Sequence, residues 1–222
     1  MGDQQFLVKS CAMAAMATGE HVGSLLGLRD RLVTIPVDSI YFHFWGERLF
    51  PRFTHPEFHN DFAMWVHHSL HDDFLAERLS ILDPTEYSCL EALRTDLIEL
   101  VDERLDEYAM VPLAKKEELF HFIRSSLIIF DTPYHFTDPS EMVQILPKLS
   151  PRSLFFHFID ARTRTEKRHD DFSAFLGTFG EVYKPLIERI GAIDPYFLSL
   201  PAIKEELIGT VQAYFGSKGT TP

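Results

Sequence analysis

Two cysteines in 222 residues, Cys11 and Cys89, are too few and too far apart for a disulfide framework, and without CxxC spacing they suggest no zinc ribbon. That scarcity fits a reducing compartment. No run of about 18 apolar residues is present to span a bilayer as a helix. The opening MGDQQFLVKSCAMAAMATGEH is rich in small residues, but it begins acidic and Lys9 and Ser10 interrupt it, so it is not read as a signal peptide. Gly2 is followed by Phe6 where a myristoylation signal wants Ser or Thr. Basic charge is scarce too: 21 Lys and Arg stand against 33 Asp and Glu, a net charge of −12. Duplex nucleic acid and anionic membranes, which attract clustered Lys and Arg, are excluded as partners. There is no GxSxG, no GxxxxGKS/T and no GxGxxG, so the common nucleophile and phosphate-loop chemistries are absent as well. The expected setting is the cytoplasm.

What the chain does have is aromatic side chains and an echo of itself. Hydrophobic residues make up 45% and charged residues 24%, an ordinary globular mixture, with 20 Phe among them. The aromatic run DSIYFHFWGERLF, 38–50, returns as RSLFFHFIDART, 152–163. Displaced by 114 residues, Phe6, Leu32, Ser39, His43 and Arg48 fall on Phe120, Leu146, Ser153, His157 and Arg162. At 110 residues His59, Asp61, Phe62 and Trp65 fall on His169, Asp171, Phe172 and Phe175, and further on Asp83-Pro84 is repeated as Asp194-Pro195. The shifts change between elements, where insertions are tolerated. The chain therefore reads as a tandem, pseudo-twofold duplication of a roughly five-helix unit, copies 1–112 and 113–222, packed as neighbours or as one globular domain.

Within each copy the pattern is mainly helical. Ser24 caps a helix carrying Leu25, Leu28 and Leu32, and Asp138-Pro139-Ser140 precedes its counterpart. Ser150-Pro151 is a cap and first-turn pair, which predicts helices over 151–163 and 37–49, although the aromatic run also suits a strand. Asn60 and Asp170 cap the third helices, NDFAMWVHHSL and DDFSAFLGTFG, and the fourth, LAERLSIL and PLIERIGAI, stop at Asp-Pro. The fifth, over SCLEALRTDLIELVDERLDE and SLPAIKEELIGTVQAYF, are amphipathic. Residues 120–130 alternate like a strand, while 6–16 fit either class. If both are strands, they are expected to pair and tie the copies together. Residues 106–118, around Pro112, form the candidate linker, and the tail GSKGTTP is expected to be disordered.

SIYFHFWGERL with HNDFAMW and LAERLSILDP, echoed by SLFFHFIDAR, HDDFSAF and LIERIGAIDP, resembles an uncharacterised prokaryotic family of unknown function marked by its HF-plus-NDF pattern. The resemblance covers most of both copies. It implies a domain with no established activity, and so assigns no catalytic residue and no cofactor. Asp170, where the pattern has Asn, and Phe175, opposite Trp65, depart from it; a ligand contact at those positions would differ between the copies.

The candidate site residues are those polar groups that both copies keep: His43, Arg48, His59 and Asp61, with His157, Arg162, His169 and Asp171. His43 lies among aromatics, and a buried imidazole without a partner costs about 1 to 3 kcal/mol, so Asp61 is its expected partner. Two readings stand. In one, His43 with Asp61 and Arg48 with a carboxylate such as Glu77 are structural ties between helices. In the other, His and Arg hold a small anionic or polar ligand, Arg forking onto carboxylate or phosphate. A second cluster, His55, His59, His67, His68 and His71 with Asp72 and Asp73, is not duplicated. His67 and His71 share a helix face, and His71-Asp72 resembles the HD signature of metal-dependent phosphohydrolases, which makes His67, His71 and Asp72 the metal ligands of an alternative hydrolase reading. A solvated helix end accounts for the same residues. Glu166-Lys167-Arg168-His169 spells ExxH, but a di-iron bundle needs two such motifs. A third reading has the fifth-helix stripe dock another protein or a second copy of this chain. Together these point to a non-catalytic binding or interaction module.

Overall fold

The computed structural model describes residues 5–50, 58–165 and 168–218. They form a mainly helical protein with one two-stranded antiparallel sheet. The strands are long: β1 covers Phe6–Val22 and β2 covers Phe120–Phe136. Between them lie α1 (Leu25–Thr34), α2 (Val37–Leu49), α3 (Asp61–Leu70), α4 (Asp73–Ser80) and α5 (Leu90–Glu107). After β2 come α6 (Met142–Ile145), α7 (Pro151–Leu154), a π-helical turn (Phe155–Asp160), α8 (Ala161–Arg164), α9 (Asp171–Gly177), α10 (Lys184–Gly191) and α11 (Leu200–Lys218). Both ambiguous segments, 6–16 and 120–130, are strands. Among the described residues no helix is long and apolar enough to cross a membrane.

The chain divides into two compact units. The central unit, Met13–Leu127, takes the later part of β1, α1 to α5 and the start of β2. The terminal unit takes the chain up to Ala12 and from Ile128 on. These are boundaries of contact, and they differ from the boundaries of the sequence echo because each strand passes from one unit into the other.

In the central unit, Ser24 Oγ accepts the Gly27 N–H at 3.1 Å and starts α1. Its buried Leu25, Leu28 and Leu32 face a core shared with Leu93, Leu97 and Val101 of α5, which packs on α1, α2 and α4. The fifth-helix stripe is thus spent on the interior of its own unit. α2 is apolar on every side, and Ser39 through Gly46 are all buried, so it is enclosed rather than amphipathic. The segment between α5 and β2, the expected linker, is held to the end of β1 by the Ser24–Leu113 bridge and by Ala114 N–H on the Gly23 carbonyl at 2.8 Å. Trp65 Nε1 donates to the Glu118 carbonyl at 2.7 Å, and Phe120 stacks on Phe62 with centroids 5.2 Å apart.

In the terminal unit, Phe6 of β1 stacks on Phe136 and Phe172 at 4.7 and 5.3 Å. α11 packs on α6, α7 and α10 through Ile203, Leu207 and Val211. Ser150 caps α7 as expected, its Oγ accepting the Ser153 N–H at 3.0 Å. The expected α-helix over 151–163 is corrected in its middle, where Phe155–Asp160 widen into π geometry. Side chains supply donors there: Arg164 Nη2 reaches the Phe156 carbonyl at 2.9 Å and Arg162 Nε the Phe158 carbonyl at 3.2 Å. Of the tail, residues 216–218 are helical as the end of α11, and the rest of it lies outside the described residues.

Candidate functional site

His43 sits in the middle of α2 and is 3% exposed. Its Nδ1 lies 2.8 Å from Oδ2 of Asp61, the first residue of α3, and its Nε2 accepts the backbone N–H of Ile123 in β2 at 3.2 Å. A ring nitrogen that accepts a peptide N–H carries no proton, so the proton is on Nδ1 and is donated to Asp61. The imidazole is neutral, and both its nitrogens are used. Phe62, Phe120 and Phe122 surround it, with centroids 5.3, 4.7 and 6.0 Å away.

The terminal unit holds the same arrangement. His157 Nδ1 is 2.7 Å from Asp171 Oδ2, at the start of α9, and Nε2 accepts the Lys9 N–H of β1 at 2.8 Å. Phe6 and Phe172 lie 4.9 and 5.8 Å from the ring. In each unit one imidazole fastens a strand to two helices.

The other sequence-derived candidates are placed less centrally. The Arg48 guanidinium lies over the Trp45 ring at 5.9 Å, and His59 is half-buried. Arg162 lies over Phe158 at 5.0 Å, bonds that residue's carbonyl and stands 4.0 Å from Asp170. His169 is exposed, its carbonyl accepting from Thr165 Oγ1 at 3.0 Å, and among the described residues it takes no part in the His157–Asp171 pair. Self-comparison overlooked Arg164, which has no counterpart in the echo. It donates to Asp160 at 2.7 Å and to Asp171 at 3.1 Å, and stacks 4.1 Å over Phe156, completing a His157–Asp171–Arg164–Asp160 network.

The two α3- and α9-capping residues differ in charge. Asn60 Oδ1 accepts the Ala63 N–H and its Nδ2 donates to the Leu79 carbonyl, both at 2.9 Å. Asp170 accepts from Ser173 N–H and Oγ at 2.8 and 2.7 Å. It is buried, and burial pushes its carboxyl above the ordinary value despite those bonds.

A cavity of about 330 Å³ opens over the His43–Asp61 pair in the central unit. Its walls bring Asp61, Trp65, His68, Ser69, Phe120 and His121 together. His121 gave no signal in the sequence, since it is a lone polar residue on the outward side of an alternating strand.

The residues of the metal reading are engaged otherwise. Asp72 caps α4 through the Leu75 N–H at 3.1 Å, takes Arg104 Nε and Nη2 at 2.8 and 3.1 Å, and accepts the Tyr108 hydroxyl. Burial opposes its charge, but the Arg104 and Tyr108 bonds outweigh it and hold the carboxyl below the ordinary value. His67 pairs with Asp73 at 2.7 Å, and His71 ends α3 in the left-handed region at φ 55°. Among the described residues no three His, Cys, Asp or Glu gather as a metal site; His55, Glu166 and Lys167 lie outside them. Cys11 is buried, its thiol pushed up to about 11 by that burial and by nearby Asp160, and Cys89 is exposed.

No curated protein matches the chain. The solved structure of OrfY from Thermoproteus tenax does, with a TM-score of 0.81 and 25% identity over 95% of both chains. The HF-plus-NDF pattern and its echo fall within residues 3–212, which match the family of unknown function DUF5752, and the chain belongs to that family.

Proposed function

We propose that the protein is a non-catalytic binding module of the cytoplasm, built by tandem duplication, that holds a small polar ligand in the cavity over His43 and Asp61. The observation that carries it is the composition of that cavity: an aromatic wall of Trp65 and Phe120 with His68, Ser69 and His121 as hydrogen-bonding groups. About 330 Å³ lies in the range of small-molecule sites. A planar ligand with polar edges suits those walls, stacking on rings and bonding at its rim.

Duplication is supported by the matching His–Asp–strand ties in the two units. In this reading the ties are scaffold, because an imidazole with both nitrogens engaged has nothing left to offer a ligand. Binding falls to His68 and His121, which are not duplicated. The metal-dependent hydrolase reading draws no support from Asp72, whose oxygens are taken by Arg104, Tyr108 and the α4 N-terminus.

A library of small polar aromatic compounds screened by ligand-observed NMR tests the proposal, with Trp65 fluorescence as the second readout. Hits are expected to lose binding at least about tenfold in the His68→Ala, His121→Ala double variant while its melting temperature stays near that of the parent. Hits that bind the double variant equally well would contradict it, as would a library without hits.

A further inference from the structure

A second cavity of the central unit, about 460 Å³, has a different character. It lies among the late part of β1, the last turn of α1 and the entry to α2, with Arg124 of β2 on its wall. Two arginines, Arg31 and Arg124, line it against a single carboxylate, Glu20. Asp38, paired with Arg124, brings the carboxylates to two, so the cavity is locally charge-balanced in a chain of net charge −12.

Both guanidiniums are fixed in place. Arg31 Nη2 meets Glu20 at 2.8 Å, and Arg124 grips Asp38 through Nε and Nη2, with contacts of 2.8 to 3.2 Å. Arg94 steadies the turn between α1 and α2 by donating to the Leu32 and Ile35 carbonyls at 2.6 and 2.7 Å. An arginine has five N–H donors, and among the described residues one carboxylate each leaves N–H groups on both. Their side chains are 37% and 47% exposed, so a ligand can reach them. Met16, Ala17, Ile35 and Pro36 add apolar surface to the lining, and Thr18 and Thr34 complete it.

We propose that this cavity binds a small organic oxyanion, its carboxylate or phosphate held by Arg31 and Arg124 and its carbon body laid on Met16, Ala17 and Ile35. Guanidinium is suited to such groups because its planar fork bonds two oxygens at once. Glu20 weakens the attraction by competing for Arg31, and it also discriminates: a ligand with a hydroxyl or amine near its anionic end gains an acceptor. The site is independent of the cavity over His43 and is lined by none of the same residues.

The full chain, titrated calorimetrically in a phosphate-free buffer with inorganic phosphate and separately with succinate, tests this. Each probe is taken to about 10 mM, ten times a Kd of about 1 mM. Binding of either supports the site, and which one binds names the source of the oxyanion. Arg31→Gln is expected to weaken binding about tenfold or more. Glu20→Gln is expected to strengthen it about twofold to fivefold, a gain that a purely structural Arg31–Glu20 pair would not produce. The His68→Ala, His121→Ala variant should bind the same probes unchanged, which separates this site from the other cavity. Binding of neither probe, or binding that survives Arg31→Gln undiminished, would overturn the proposal.

Discussion

His43 and His157 invite a functional reading because histidine inside an aromatic helix is costly unless something uses it. The use is now visible: each ring joins a carboxylate on one side to a strand amide on the other. Replacing His43 by Ala removes the imidazole's bonds to the Asp61 carboxylate and to the Ile123 N–H together. We expect a loss of about 3 kcal/mol in urea unfolding, with a similar loss for His157→Ala. Asp170 behaves in the opposite sense. Its carboxyl is raised by burial, so the folded state holds that proton more tightly than the unfolded chain does. The penalty is absent at low pH and grows as pH rises through the window between the unfolded and the raised folded value. Asp170→Asn, which copies Asn60, should keep the helix cap and remove the penalty, so its stability advantage over the parent should widen as pH rises above the unfolded value near 4 and level off once pH passes the raised folded value. A parent that gains on the variant as pH rises would refute this. These residue roles were only partly legible beforehand: the pairing of His43 with Asp61 followed from burial, whereas the strand amide that takes the second ring nitrogen lies 80 residues away and has no side-chain signature.

Among the elements, α4 illustrates how a buried charge can be structural. Asp72 accepts from the helix N-terminus, from Arg104 of α5 and from Tyr108 just beyond it. Asp72→Ala should cost about 2 to 4 kcal/mol, the sum of a lost cap and the loss of the bidentate pair with Arg104, which keeps Glu107. Because the Asp72 carboxyl is held below its ordinary value, its contribution is complete above the unfolded value near 4 and is lost as pH falls through the lower folded value. Parent and Asp72→Ala should therefore converge in stability only under strong acid, which pH-dependent denaturation will show. Helices with clear caps, at Ser24, Asn60, Ser150 and Asp170, were readable from sequence, since a short polar side chain before an apolar run has one common use. The π turn was not. Its sequence matches α2 without insertion, and the residue without a counterpart in α2 is Arg164, which reaches back to the Phe156 carbonyl of the preceding turns. His121 and Arg31 escaped notice for a related reason: periodicity marks which residues face inward, and it is silent about which exposed ones share a cavity.

For the molecule as a whole, the long strands decide how the chain can be cut. A fragment of residues 1–112 keeps α1 to α5 but lacks Phe120, Phe122 and Ile123, which pack on and bond His43, and Glu118, which bonds Trp65. The fragment 13–127 keeps them all. We expect 13–127 to unfold cooperatively on heating and 1–112 to lack a cooperative transition. The reverse would show that the sequence echo, rather than the contact map, marks the folding unit. If the chain arose by duplication, the arrangement says what was kept and what diverged: the imidazole ties appear in both units, while the cavity with His68 and His121 and the one with Arg31 and Arg124 belong to the central unit's own residues. The proposed division of labour between scaffold and binding surface rests on those ties being neutral and fully engaged. Nitrogen-15 NMR of the histidine side chains measures that directly. His43 and His157 should each show a protonated, pyrrole-type Nδ1 and an unprotonated, pyridine-type Nε2 bonded to a backbone amide; a proton found on Nε2 of either ring at neutral pH would contradict the account.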